Sequence, residues 1–139
     1  MQEITKLRKL LHDYSLVILK NNKVIYKSEE QGVIPIINAL DNIGKEKLRN
    51  SLIGDRIVGK AAALLFSLIK PRLIYALIMS KQAMSFLDQE GISYLYDVLV
   101  ENILNKEKTD ICPFEKILLN INDPQEAYKI IKNKIKNVD

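Results

Sequence analysis

Residues 54–61 read Gly-Asp-Arg-Ile-Val-Gly-Lys-Ala, "GDRIVGKA". The letters follow G-x-x-x-x-G-K, the spacing of a phosphate-binding loop, but Ala61 stands where that loop places Ser or Thr. In such a loop the backbone N–H groups wrap an anion and the hydroxyl after the lysine holds Mg²⁺. Here Ile57 and Val58 fill the middle, and β-branched side chains favour extended backbone. The next apolar run, "LIYALIM", leads into Ser80 rather than an acid; Asp97, closing "ISYLYD", is the other acid weighed for that role. The stretch therefore reads as a strand that Gly59 turns into a helix, "KAAALLFSLI". Its three opening alanines allow close approach to a sheet, and Pro71 stops it.

Working outward, apolar residues at Ile4, Leu7, Leu10 and Leu11 have helical spacing, so residues 3–13 are expected to form an amphipathic helix. "SLVILK" and "KVIYKS" flank Asn21-Asn22, a β-hairpin with a turn that tolerates positive φ. Pro35 suits the first turn of a short helix over "GVIPIINALDN". "RLIYALIM" reads as a central strand covered on both faces. Ser80 is placed to cap the helix "KQAMSFLDQE" and Gly91 to close it. "ISYLYDVLV" opens a fifth strand, "NKEKTD" is a loop, and "CPFEKILLNI" starts a short helix. Asp123-Pro124 begins a last helix, expected through about Asn137. The order is α-β-β-α-β-α-β-α-β and then two helices. It predicts one domain over residues 1–139: an α/β fold, a three-layer α/β/α sandwich whose mixed five-stranded sheet starts with a β-hairpin.

The 139 residues suffice for one conventional core, and 47% hydrophobic with 27% charged residues suits a soluble globular chain. Lys and Arg number 21 against 17 Asp and Glu, a net charge of +4. Part of that excess, Lys129, Lys132, Lys134 and Lys136, falls on the wet face of the last helix. A nucleic-acid partner is not expected, because the basic residues form no dense stripe interleaved with aromatics. The single cysteine, Cys112, permits no internal disulfide and suits the cytoplasm. "AAALLFSLI" and "LIYALIM" are separated by Lys70, Pro71 and Arg72, and neither reaches the length of a membrane span.

"GDRIVGKAAALL", "DICPFEK", "INDPQEAY" and "KVIYKSEEQGVIPI" together resemble a small prokaryotic domain-of-unknown-function family (number eighteen-ninety-three), over about Leu16 to Ile131. The resemblance implies a fold like that of the cytidine deaminases. Zinc deaminases start one helix with His- or Cys-x-Glu and the next with Pro-Cys-x-x-Cys; zinc activates water and the Glu moves the proton. Laid on this chain, those starts fall near Gly32-Val33-Ile34-Pro35 and Gly59-Lys60-Ala61-Ala62. Neither holds a His, Cys or acid, and His12 and Cys112 alone cannot supply three ligands. Zinc-dependent deamination is therefore excluded, and no cofactor or metal is expected.

Polar residues at element ends remain as site candidates: Ser28, Gly32, Asp55, Gly59, Lys60, Cys112 and Glu115. Lys60 opens a helix, where free N–H groups and the dipole attract anions; alternatively it pairs with Asp55 or faces water. Asp55 would orient Lys60, Ser28 and the Gly32 turn would form an opposite wall, and Cys112 and Glu115 would close one side. Glu115 can also cap its own helix, with Cys112 a small half-buried residue; a catalytic thiol is a lesser option, because no histidine base is evident. Tyr75, Tyr94, Tyr96 and Phe86 read as core. The expected function is binding of a small anionic or nucleotide-like ligand by a zinc-free deaminase-like domain, its turnover left open. The alternative is an interaction or regulatory protein that forms a homo-oligomer through the exposed sheet edge or a helix face, its pocket vestigial, and a third is a metal-free transferase.

Overall fold

The computed structural model describes residues 2–136. Helix α1 spans Gln2–Leu10, followed by β1 (Leu16–Lys20), β2 (Lys23–Ser28), α2 (Ile34–Asn42), α3 (Lys45–Leu48) and β3 (Leu52–Val58). Then come α4 (Lys60–Ile69), β4 (Leu73–Ser80), α5 (Lys81–Glu90), β5 (Tyr94–Val100), α6 (Pro113–Ile117) and α7 (Pro124–Lys136). Asn137, the expected end of α7, lies outside the described residues. The single turn α3 is the one element beyond those expected; "KEKL" is too short to carry a periodic signal.

The five strands form one sheet in the order β2-β1-β3-β4-β5. Strand β1 runs antiparallel to β2 and to β3, whereas β3, β4 and β5 are parallel. The mixed sheet follows from the connections. A two-residue turn with positive φ at Asn21 and Asn22 (53° and 63°) forces the hairpin. Helices α4 and α5 carry the crossovers between the parallel strands. Both caps of α5 form as expected: Ser80 Oγ accepts from the Ala83 N–H at 3.1 Å, and Gly91 has φ 70°.

Helix α4 lies at the centre of the inner layer. Ala61 through Phe66 and Ile69 are all buried, so almost no face of it meets water. Around it pack the apolar faces of α2, α5 and α7 and the inner face of the sheet. The outer layer is α1 alone. Ile4, Leu7 and Leu11 sit on Val17, Leu19, Leu52 and Tyr75. Gly54 permits the close fit, since a Cβ there would stand 2.9 Å from Leu7 Cδ2. Arg56 donates from Nε to Leu11 O (2.8 Å) and from Nη2 to His12 O (2.9 Å), satisfying carbonyls at the end of α1. Arg8 Nε donates to the Tyr75 hydroxyl at 2.8 Å, and that hydroxyl donates to Asp97 Oδ2 at 2.7 Å, which ties α1 to β4 and β5.

Two expectations about the sheet fail. Strand β4 is central but not covered throughout, as Leu77 and Ile78 are only half-buried. Tyr96 is exposed rather than core, because β5 is the edge of the sheet. Ile57, Ile78 and Val98 stand in register across β3, β4 and β5, and Ile57 and Val98 are 48% and 51% exposed. Among the described residues no helix is long and apolar enough to cross a membrane.

Candidate functional site

The parallel strands β3 and β4 end level with the starts of α4 and α5, the position where α/β sheets expose helix N-termini and loops together. A helix start leaves several backbone N–H groups without intrahelical partners. At α4 these are met by a side chain 55 residues away. Glu115 Oε1 accepts from the Lys60 N–H and Oε2 from the Ala61 N–H, each at 2.8 Å. Glu115 therefore caps α4 rather than its own helix α6, which corrects the expectation from sequence. Its carboxylate takes the position against the helix dipole that an external anion would otherwise fill.

The backbone at Gly59 has φ −99° and ψ −174°, an extended conformation open to any residue. The glycine is required for space, not for a turn. A Cβ there would lie 2.5 Å from Glu115 Oε1, 2.7 Å from its Cδ and 2.8 Å from Ile103 Cγ1. Burial raises the Glu115 carboxyl above its usual range, while the two backbone N–H groups and the Lys60 charge pull it back.

The Lys60 side chain turns the other way. Its Nζ donates to Leu119 O at 3.0 Å, and burial lowers its ammonium from the ordinary lysine value. Beside it opens a cleft of about 220 Å³ between the start of α4, α5 and the chain after β5. Lys60, Gln82, Gln89, Asn102, Asn122 and Phe86 converge on it. Gln82, Phe86 and Gln89 recur at helical spacing on one face of α5, and Ile111 and Leu119 add apolar wall. The chemistry of this cleft is one cation among carboxamides, with Glu115 the acid at its base.

The sequence candidates divide accordingly. Lys60 and Glu115 both line the cleft. Gly59 stands behind them, and Cys112 sits at the start of α6 between the lining residues Ile111 and Leu119, with its N–H on Ile103 O. Ser28, Gly32 and Asp55 do not join them. Ser28 lies across β1 from Asp55, with Leu16 paired to both, and its Oγ accepts from the Glu30 N–H at 3.1 Å. Gly32 makes its turn with φ 82°. Asp55 is buried in β3, with Oδ1 accepting from the Ile57 N–H at 3.3 Å, and makes no contact with Lys60. Burial pushes its carboxyl up to about 8, against the Ile57 and Arg56 N–H groups and the Arg56 charge. Asp97 serves the clasp with Tyr75 and Arg8 on the outer face and has no place at the GDRIVGKA segment. Sequence reading missed Gln82, Gln89, Asn102 and Asn122; the only available signal was a polar row on α5 at i, i+3 and i+7. Among the described residues, no three His, Cys, Asp or Glu side chains are grouped to hold a metal ion.

These features define an α/β domain with a mixed five-stranded sheet and a polar cleft at the carboxyl end of its parallel strands. The chain belongs to the family described as Domain of unknown function (DUF1893), TM1506, whose model matches residues 5–135. A solved structure of a DUF1893 family protein (TM1506) from Thermotoga maritima is similar to it at 30% identity. The two superpose with a TM-score of 0.84, over 96% of this chain and 90% of that one. No curated protein matches the chain significantly.

Two outcomes test this geometry. Glu115→Ala should destabilise the fold by about 2 kcal/mol, because two N–H groups lose their acceptor, and Gly59→Ala should cost a similar amount by displacing the carboxylate. The double variant, measured by urea unfolding, should be little worse than either single one; additive losses would uncouple the two residues. Asp55 gives a pH signature. In the unfolded chain its proton leaves near pH 3.8, whereas the folded carboxyl keeps it to about 8. The folded state binds more protons across that window, so its stability falls as pH rises. Asp55→Asn should flatten the fall in urea midpoint between about pH 4 and pH 8; an unchanged slope would assign it to other groups.

Proposed function

We propose that this domain binds a small anionic or nucleotide-like ligand in the cleft beside Lys60, on a zinc-free scaffold of the cytidine-deaminase type. The observation that carries the reading is the convergence of the Lys60 ammonium, four carboxamides and Phe86 on one cleft of about 220 Å³. A concave site with a few oriented polar groups on apolar walls is the usual form of a small-molecule pocket. The internal Glu115 cap changes how the anion is met. The first two α4 N–H groups are already occupied, so the anionic part of the ligand pairs with the Lys60 side chain instead. Lys60 exchanges its bond to Leu119 O for the ligand. A chain with one half-buried thiol fits work in a reducing compartment such as the cytoplasm.

A second reading, a homo-oligomer built on the sheet, is favoured by β5. Its seven residues, "YLYDVLV", form an edge strand without Pro or Lys, and its one charge, Asp97, is already bonded to Tyr75. Natural sheets usually protect such edges, and a second copy related by a two-fold axis would pair the strand with itself.

Thermal shift with nucleoside monophosphates, other anionic metabolites and inorganic phosphate tests the first reading. A ligand present at one hundred times its Kd stabilises the folded state by about 2.7 kcal/mol, well within detection. Lys60→Ala should remove that shift; a shift that survives it would take Lys60 out of the site. Light scattering tests the second, since Val98→Lys should convert a dimer to a monomer, and a monomeric wild-type chain would end that reading.

A further inference from the structure

Gln82 carries an oxygen that nothing in the protein satisfies. Its Nε2 donates to Asn102 Oδ1 at 2.8 Å, while its Oε1 is shielded from solvent and has no donor in reach. A buried acceptor without a partner weakens the folded state, and native proteins keep few of them. Turning both carboxamides over keeps the bond between them but exchanges an unpartnered acceptor for an unpartnered donor. Among the described residues one other side-chain atom, Ser51 Oγ, is left the same way, and Ser51 lies just before β3, at the opposite end of that strand. Gln82 and Asn102 both line the cleft, so the unmet oxygen belongs to a residue at its wall.

We propose that the Gln82–Asn102 amide pair recognises a flat ligand group in which an N–H lies beside a C=O, the edge of a lactam or carboxamide. The N–H supplies the donor that Gln82 Oε1 lacks, and the C=O accepts from the exposed Asn102 amide nitrogen. A phosphate or carboxylate does not fit against Gln82 Oε1, because two acceptor oxygens repel. Phe86, one helical turn along α5, is buried and closes the apolar wall behind the pair. The proposal rests on the cleft being the binding site and adds what the end of the ligand remote from Lys60 must carry. Two sources share this chemistry: the base of a pyrimidine or purine nucleoside, and a free aromatic carboxamide.

Calorimetric titration of the whole chain with uridine, inosine and nicotinamide tests it, with N3-methyluridine, N1-methylinosine and N,N-dimethylnicotinamide as partners lacking the N–H. At least one probe should bind, and its methylated partner should bind about tenfold more weakly, the loss expected for one hydrogen bond. Preference for the nucleosides or for nicotinamide identifies the source. Gln82→Met should erase the discrimination while leaving the free protein as heat-stable as before or more so, because an unmet buried acceptor is removed. A structural role for Gln82 would lower that stability instead. Asn102→Leu should weaken binding of the same probe. No binding by any probe, equal binding of the methylated partners, or discrimination retained in Gln82→Met would each overturn the proposal. If Lys60→Ala still abolishes a nucleoside monophosphate shift under any of those results, the cleft stands and only the amide pairing falls; if it does not, both fall.

Discussion

A buried carboxylate on a helix start holds this molecule together. Glu115 reaches from the C-terminal third of the chain to the first N–H groups of α4, the helix around which the inner layer is built. The contact combines two charge-assisted hydrogen bonds with a favourable helix dipole, and removing such an anion leaves donors in a place water barely reaches. It sets conditions on its neighbours. Gly59 must lack a Cβ, Ile103 must pass close by, and the chain after β5 must fold back over the start of α4. That fold-back brings Asn102, Ile111, Leu119 and Asn122 against α5 and creates the cleft. The cap and the candidate site are therefore one construction.

The outer face follows a different rule. One helix of nine residues covers a five-stranded sheet, so its grip is concentrated at a few points. Gly54 lets Leu7 approach, Arg56 binds the carbonyls at the end of α1, and the Arg8–Tyr75–Asp97 clasp reaches to β5. Ile57 and Val98, in register across β3 and β5 through the half-buried Ile78, stay exposed. The inner layer gains its stability from area and the outer from placement.

Local chemistry made most of the fold legible. The Asn21-Asn22 turn, Pro35, Ser80 and Gly91 each act within a few residues, and the alternation of strands and helices fixes a mixed sheet once those are placed. Long-range contacts were hidden. Nothing around Glu115 announces that it serves Lys60 and Ala61 rather than the turn it stands on, because both roles want an acid near a helix start. Gly59 likewise suggests a turn in sequence but answers a steric demand made 56 residues away. Asp55 sits five residues before Lys60 in a motif-like stretch, yet it is buried in β3 and makes no contact with Lys60. The amide side chains of the cleft carried no signal of their own, since surface Gln and Asn on a helix or loop are ordinary.

The order in which the chain is made gives the Glu115 cap one more consequence. Synthesis produces the hairpin, the first parallel strands and α4 well before residue 115. During that interval the central helix has a core to enter but no anion at its start, and the cleft does not exist. Domains that complete themselves with their last elements cannot finish folding segment by segment from the N-terminus. In this chain the C-terminal quarter acts as the latch, and a nascent chain halted before Glu115 carries an apolar α4 whose first N–H groups face water.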